Sequence, residues 1–319
     1  MSAFNELIGQ PQAVELLEQA VQQNRVAPAY LFAGVAGIGK QLAAQCFSAL
    51  LLSSHNPNIS LETTKKRVIS GNHPDFLKVE PTYLHQGKRL TAAEAAETGL
   101  KRRAKPQIRV EQIREIVTFL SRPPLEAKRA VVIIEEAQAM PEAAANALLK
   151  TLEEPGRATI ILLAPKAEAL LSTLVSRCQR LPFYPLSHEH LQAVLQQKSY
   201  PEVARHSKIL AIAQGSPGQA IQAWQQLQAI PGELLDRLEK PSPDLAKRLA
   251  LAPEIDKTLD VETQLWLLDY LQHQYWQWHD FGTSERVLKI LERSRRALQG
   301  YASPRLVWEV MLLELNPTR

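Results

Sequence analysis

The stretch Tyr30-Leu31-Phe32-Ala33-Gly34-Val35-Ala36-Gly37-Ile38-Gly39-Lys40-Gln41 restricts the chain to few architectures. Its first four residues are a short apolar run with the look of a buried strand, and residues 42–52 read as a helix. Between them lies a complete G-x-x-x-x-G-K pattern. Strand, glycine-rich turn, lysine and helix, in that order, are what a phosphate-binding loop requires. Gly34, Gly37 and Gly39 let backbone N–H groups curl around phosphate oxygens, the helix N-terminus adds partial positive charge, and Lys40 reaches the β and γ phosphates. The next residue should be Ser or Thr, whose hydroxyl ligates Mg²⁺; here it is Gln41. The alternative is a glycine turn without a ligand, against which the flanking strand and helix weigh.

The chain has 319 residues, which calls for two or three domains rather than one core. No stretch approaches the length of a transmembrane helix, and the N-terminal residues lack the basic and apolar regions of a signal peptide. Cys46 and Cys178 alone cannot build a disulfide framework, so the expected setting is a reducing cytoplasm without membrane contact. A net charge of +4 is compatible with nucleic-acid contact but does not argue for it alone.

Apolar periodicity predicts a helix over residues 11–24, with Pro11 in its first turn. Residues 53–71 are polar and indistinct, and 76–80 alternate as a strand does after the turn Asn72-His73-Pro74-Asp75. Residues 81–106 are irregular and carry Lys101, Arg102, Arg103 and Lys105. Such a cluster reads as a solvated loop, with a phosphate-backbone contact as the alternative. A helix is expected over 108–120. The run Ala130-Val131-Val132-Ile133-Ile134 has the character of a central parallel strand, and it ends in Glu135-Glu136. In a nucleotide site the first such acid holds Mg²⁺ and the second polarises the attacking water. The first is usually Asp; Glu135 is one methylene longer.

A helix over 142–152 and strands over 159–164 and 179–183 complete an alternation that predicts a parallel α/β sheet. Beyond residue 184 the strands stop. Helices are expected over 186–197, 201–214, 218–227, 265–278, 284–298 and 304–315. Gly215 suits a left-handed helix end, and Ser216-Pro217 a new start. Residues 228–243 contain three prolines and read as a boundary. Trp266, Tyr270, Trp276 and Trp278 read as helix-packing residues rather than a ligand site.

The run Asn146-Ala147-Leu148-Leu149-Lys150-Thr151-Leu152-Glu153-Glu154-Pro155, with Ser176-Arg177-Cys178 after it, resembles the bacterial clamp-loader family within the AAA+ ATPases. Leu7-Ile8-Gly9-Gln10, Gly71-Asn72-His73-Pro74-Asp75, Gly215-Ser216-Pro217-Gly218 and Ser303-Pro304-Arg305 look like the same family, so the resemblance spans almost the whole chain. It implies a RecA-like α/β P-loop domain over 1–183, a small helical lid over 184–229 and an all-helical collar over 230–319. It also implies a hetero-pentamer of motor subunits, the delta subunit and this chain, which places a sliding clamp on primer–template DNA. The polymerase holoenzyme as a whole makes DNA; this chain does not carry that chemistry.

Two kinds of subunit carry the pattern, a hydrolysing motor and a comparatively rigid stator with a degenerate site. Here Gln41 stands for the metal-ligating hydroxyl and Glu135 for Asp. Ala164-Pro165 stands where the family carries a polar sensor, and Gly218 where the motor carries an arginine. Each change removes a group that would position water, metal or phosphate. The stator reading follows, with ATP binding weak or vestigial through Gly34, Gly37, Gly39, Lys40, Gln41 and Glu135, and Glu136 vestigial. The resemblance also assigns Arg177 as an arginine finger supplied to a neighbour's ATP site. The family often has a four-cysteine zinc module, but residues 53–71 contain no cysteine, so no zinc is expected. The rival readings are an active motor subunit, which an ATPase assay separates, and a free-standing phosphotransferase, which would need an acceptor pocket.

Overall fold

Strands that are apolar at nearly every position are stable only where a sheet is covered on both faces. Three such strands form the centre of a five-stranded sheet in the computed structural model. It describes residues 3–53, 60–98, 105–240, 242–278 and 281–315, without the side chains of 276–278 and 281–284. The chain divides into two units, Met1–Ser199 with Gly215–Gly218, and Tyr200–Gln214 with Gln219–Arg319.

The first unit runs α1 (Pro11–Gln22), β1 (Ala29–Ala33), α2 (Lys40–Ser53), α3 (Leu61–Ile69), β2 (Phe76–Val79), β3 (Tyr83–His85), β4 (Lys88–Leu90), α4 (Ala92–Glu97), α5 (Val110–Leu120), β5 (Ala130–Ile134), α6 (Glu142–Glu153), β6 (Ala158–Ala164), α7 (Ser172–Val175), β7 (Gln179–Pro182) and α8 (His188–Gln197). Strand order is β2-β5-β6-β1-β7, every pair parallel. The register places Ala33 beside Ala164 and Pro182, so β1, β6 and β7 end together. Strands β1, β5 and β6 are buried almost throughout, while the edge strands β2 and β7 are partly exposed.

Alternate residues of β1 serve opposite faces. Leu31 packs with Ile113 and Ile116 of α5 and Leu148 of α6. Tyr30 and Phe32 meet on the other face, with Phe47 of α2 edge-on to Tyr30 and Phe183 tilted against Phe32. The His-Pro-Asp turn is structural. The Asp75 carboxylate accepts the backbone N–H groups of Leu125, Glu126 and Ala127 at 2.6, 2.8 and 2.7 Å, fixing the connection before β5.

The irregular stretch 81–106 contains a hairpin, β3–β4, turning at Gln86 and Gly87, both at positive φ, and the short helix α4. Residues 101–104 of the basic cluster lie outside the described residues, as does His55. The indistinct stretch 53–71 contains α3, started by Ser60, whose hydroxyl accepts from Thr63 N.

The second unit contains α9 (Ser207–Ala213), α10 (Pro217–Ala229, whose first two residues belong to the first unit), α11 (Gly232–Glu239), α12 (Leu245–Leu249), α13 (Leu251–Thr258), α14 (Val261–Trp278), α15 (Phe281–Gln299) and α16 (Pro304–Glu314). One expectation is corrected. The helix over 201–214 is broken at His206, whose Nδ1 accepts from Ile209 N and starts α9 anew. The stretch 228–243, read as a boundary, holds α11, which buries Leu234 and Leu238.

The core of this unit joins Leu234, Ile255, Leu267, Leu291, Trp308 and Met311. Trp308 is fully buried, and its indole N–H donates to Gln264 Oε1 at 2.8 Å, the partner a buried Trp requires. Trp266 packs against this core and stacks, tilted, on Tyr270, as expected of packing residues. The Trp276 and Trp278 side chains lie outside the described residues. Among the described residues no helix is long and apolar enough to cross a membrane.

Candidate functional site

The loop between β1 and α2 stands at the C-terminal end of a central parallel strand, where open α/β sheets bind ligands. Gly37 and Gly39 adopt φ of +74° and +105°, the backbone that lets successive N–H groups turn inward. The loop is tied down at its start, where Gly34 N donates to Ala164 O at 3.1 Å. Buried Ala164 therefore offers the loop only its carbonyl, with no polar side chain.

Lys40 folds back onto this loop. Its ammonium donates to Gly34 O and, at 2.7 Å, to Val35 O, so the cation meant for phosphate is satisfied by carbonyls of its own loop. Burial pushes its pKa down to about 8.

A second closure comes from Gly215-Ser216-Pro217-Gly218. Ser216 Oγ donates to Ala36 O at 2.7 Å, and Gly218 N donates to Gly37 O at 3.0 Å. A Cβ on Gly218 would lie 2.5 Å from Gly37 Cα, so no side chain fits at that position without moving the loop. An arginine side chain at this position would have to displace the loop it should serve.

Gln41 reaches the acidic pair. Its Nε2 donates to Glu135 Oε1 at 2.7 Å. Lys78 of β2 lies 3.9 Å from the same oxygen and pairs with Glu80 at 2.8 Å. Burial pushes the Glu135 carboxyl up, and the Lys78 ammonium pulls it back. Mg²⁺ does not fit this donor set. The hydroxyl is missing, the carboxylate already accepts an amide, and an ammonium lies 3.9 Å from the same oxygen. Glu136 is exposed at φ +47°, a left-handed backbone uncommon for a non-glycine, and opens a tight turn through Ala139 N to Glu136 O at 2.7 Å.

Thus Gly34, Gly37, Gly39, Lys40, Gln41 and Glu135 come together at the sheet's C-terminal edge. Arg177 makes its bonds elsewhere. It follows α7 on the surface, its side chain 36% exposed, with Nη2 2.6 Å from Glu153 Oε1 and Nη1 donating to Thr173 O at 3.0 Å. Sequence reasoning missed Lys78 and Glu80, whose only signal was their polar place in an alternating strand. It also missed Glu153 as the partner of Arg177.

Residues 9–187 match the family model described as DNA polymerase III, delta subunit, and residues 189–315 match that for the cyanobacterial DNA polymerase III delta prime C-terminal domain. The DNA polymerase III subunit delta' of Bacillus subtilis is 33% identical over 206 residues, 63% of this chain and 55% of that protein. Its Pseudomonas aeruginosa counterpart is 36% identical over 199 residues, 60% of this chain and 54% of that protein. The matched region thus spans about half the length of these relatives. Among solved structures, a gamma subunit-related protein from Thermotoga maritima superposes with a TM-score of 0.57 at 16% identity, covering 95% of this chain and 97% of that one, a likeness of fold alone. The parallel sheet, the helical C-terminal region and these matches agree with the RecA-like AAA+ class, and the chain belongs to the DNA polymerase III delta subunit family, among its delta-prime clamp-loader subunits.

Proposed function

We propose that this chain is the stator of a clamp loader. It joins motor subunits and the delta subunit in a cytoplasmic hetero-pentamer that places a sliding clamp on primer–template DNA. Residues 1–183 serve as the nucleotide-type domain, 184–229 as the lid and 230–319 as the collar that assembles the ring. The chain is part of a nucleotidyltransferase holoenzyme without polymerase chemistry of its own, and zinc has no role in it.

One observation carries this reading: the phosphate loop is closed by its own lysine and by Gly218, while Arg177 stands at the surface. ATP binding here is weak, and hydrolysis negligible. Arg177 acts in trans as an arginine finger on the γ-phosphate held by a neighbouring motor subunit. A guanidinium is always charged, and its planar donors match phosphate oxygens. In GTPase systems such a finger contributes about 10³ to 10⁵ in rate.

The test is ATP hydrolysis by the reconstituted loader, followed before steady state because other motor sites mask part of the loss. Arg177→Ala should slow DNA-stimulated turnover at the neighbouring site and leave assembly intact. Lys40→Ala should change nothing. Normal hydrolysis and clamp loading with Arg177→Ala would remove the finger from the mechanism. The glycine and lysine cradle is also what a motor subunit would carry; turnover by the isolated chain that disappears in Lys40→Ala would establish that reading instead.

A further inference from the structure

We propose that Glu153 is a positioning residue for Arg177: its carboxylate holds the guanidinium in cis, and the arginine becomes available to a partner's phosphate only when that pair opens. The inference rests on the reading of Arg177 as a donor in trans.

The geometry is specific. Arg177 is anchored from two elements, by Thr173 O in α7 and by Glu153 at the last residue of α6. Two anchors on two nitrogens fix the plane of the guanidinium as well as its place. The acid stands where helix physics disfavours it. The C-terminal end of a helix carries partial negative charge, and Glu153 adds a carboxylate there with Glu154 directly after it. The guanidinium relieves that concentration of charge, which ties the two side chains to each other rather than to solvent.

The pair is also reversible. The two side chains are 36% and 51% exposed, so opening returns both ions to water rather than to an apolar interior. Exposed pairs of this kind bias a side chain only modestly. A phosphate, with more charge and several acceptor oxygens, competes successfully with one carboxylate for a planar donor. Holding a competent state at reduced population lowers apparent activity by the fraction that is free. Glu153 therefore suppresses hydrolysis in the idle complex more than in the engaged one.

The experiment uses the clamp loader reconstituted with this chain as wild type, Glu153→Gln or Glu153→Asp, assayed with and without primer–template DNA and clamp. Glu153→Gln should raise the unstimulated rate about two- to fivefold and leave the stimulated rate unchanged. Glu153→Asp, which keeps the charge, should stay closer to wild type. The rise should vanish when Arg177→Ala is added. In the isolated chain, the guanidinium NMR signals of Arg177, slowed in rotation by the pair, should average in Glu153→Gln. An unstimulated rate that is unmoved or lowered by Glu153→Gln, or unaltered guanidinium signals, overturns the positioning role while an effect of Arg177→Ala preserves the finger. If Arg177→Ala leaves stimulated hydrolysis intact, the finger reading fails and the role of Glu153 falls with it.

Discussion

Gln41 Nε2 donates to Glu135 Oε1 at 2.7 Å, which ties the residue after the loop lysine to the first acid after β5. The bond occupies the carboxylate that would hold a metal, and Lys78 at 3.9 Å supplies positive charge there from within the protein. Nucleotide should therefore gain nothing from Mg²⁺. Thermal melts of the isolated chain with ATP should coincide in Mg²⁺ and in EDTA, because a metal ion that the native state does not hold cannot add to its stability. A rise in Tm that requires both ATP and Mg²⁺ would show the site to be metal-competent.

Gly218 is held by contact rather than by backbone conformation. Its Cβ position lies 2.5 Å from Gly37 Cα and 3.1 Å from Gly37 O, both backbone atoms. Gly218→Ala would gain about 1 kcal/mol in helix propensity. Overpacking against backbone that cannot rotate away costs roughly 1–3 kcal/mol, and with two such contacts the clash should win. Urea unfolding should show the variant less stable than wild type. Gly218→Arg carries the same Cβ and should not confer ATP hydrolysis. Wild-type stability in Gly218→Ala would mean that the loop yields.

Helix α16 presents Leu306, Val310 and Leu313, at 57, 42 and 53% exposure and at helical spacing, opposite the face that buries Trp308 and Met311. An exposed apolar stripe on one helix face fits a subunit contact. Leu306→Glu with Leu313→Glu should leave the melting curve of the isolated chain nearly unchanged and abolish co-purification with partner subunits. Stoichiometric incorporation of the double variant would exclude this stripe from the interface.

The central strands were legible because each is apolar along nearly all its length and bounded by turn residues, and the phosphate loop because strand and helix flank it. The hairpin β3–β4 escaped because each strand has three residues and its turn is Gln86-Gly87, not the Asn-Gly or Asp-Gly pair that marks such turns. Helix α4 carried a readable signal, the reciprocal Thr91–Glu94 cap, in a stretch too short for apolar periodicity to stand out. In the site, Gln41 announced a lost metal ligand, but not where its amide goes. The contacts of Gly218 with Gly37 and of Lys78 with Glu135 join positions far apart in sequence, and no local pattern encodes them.

Lys40 provides a test by pH. Burial lowers its pKa from an ordinary 10.5 to about 8. In the unfolded chain the amine stays protonated to the ordinary value, so between these two pH values the unfolded state binds more protons than the native state. Stability then rises with pH. The penalty for burying the charge is fully present below pH 8 and is relieved as pH climbs toward 10.5. Other groups titrate in the same range, and Lys40→Met removes this one contribution while retaining an apolar stem of similar reach. The difference in unfolding free energy, wild type minus Lys40→Met, should therefore increase from pH 7.5 to about pH 10. A difference that is flat across that range would mean that Lys40 keeps its ordinary pKa, with its ammonium in water rather than on the carbonyls of Gly34 and Val35.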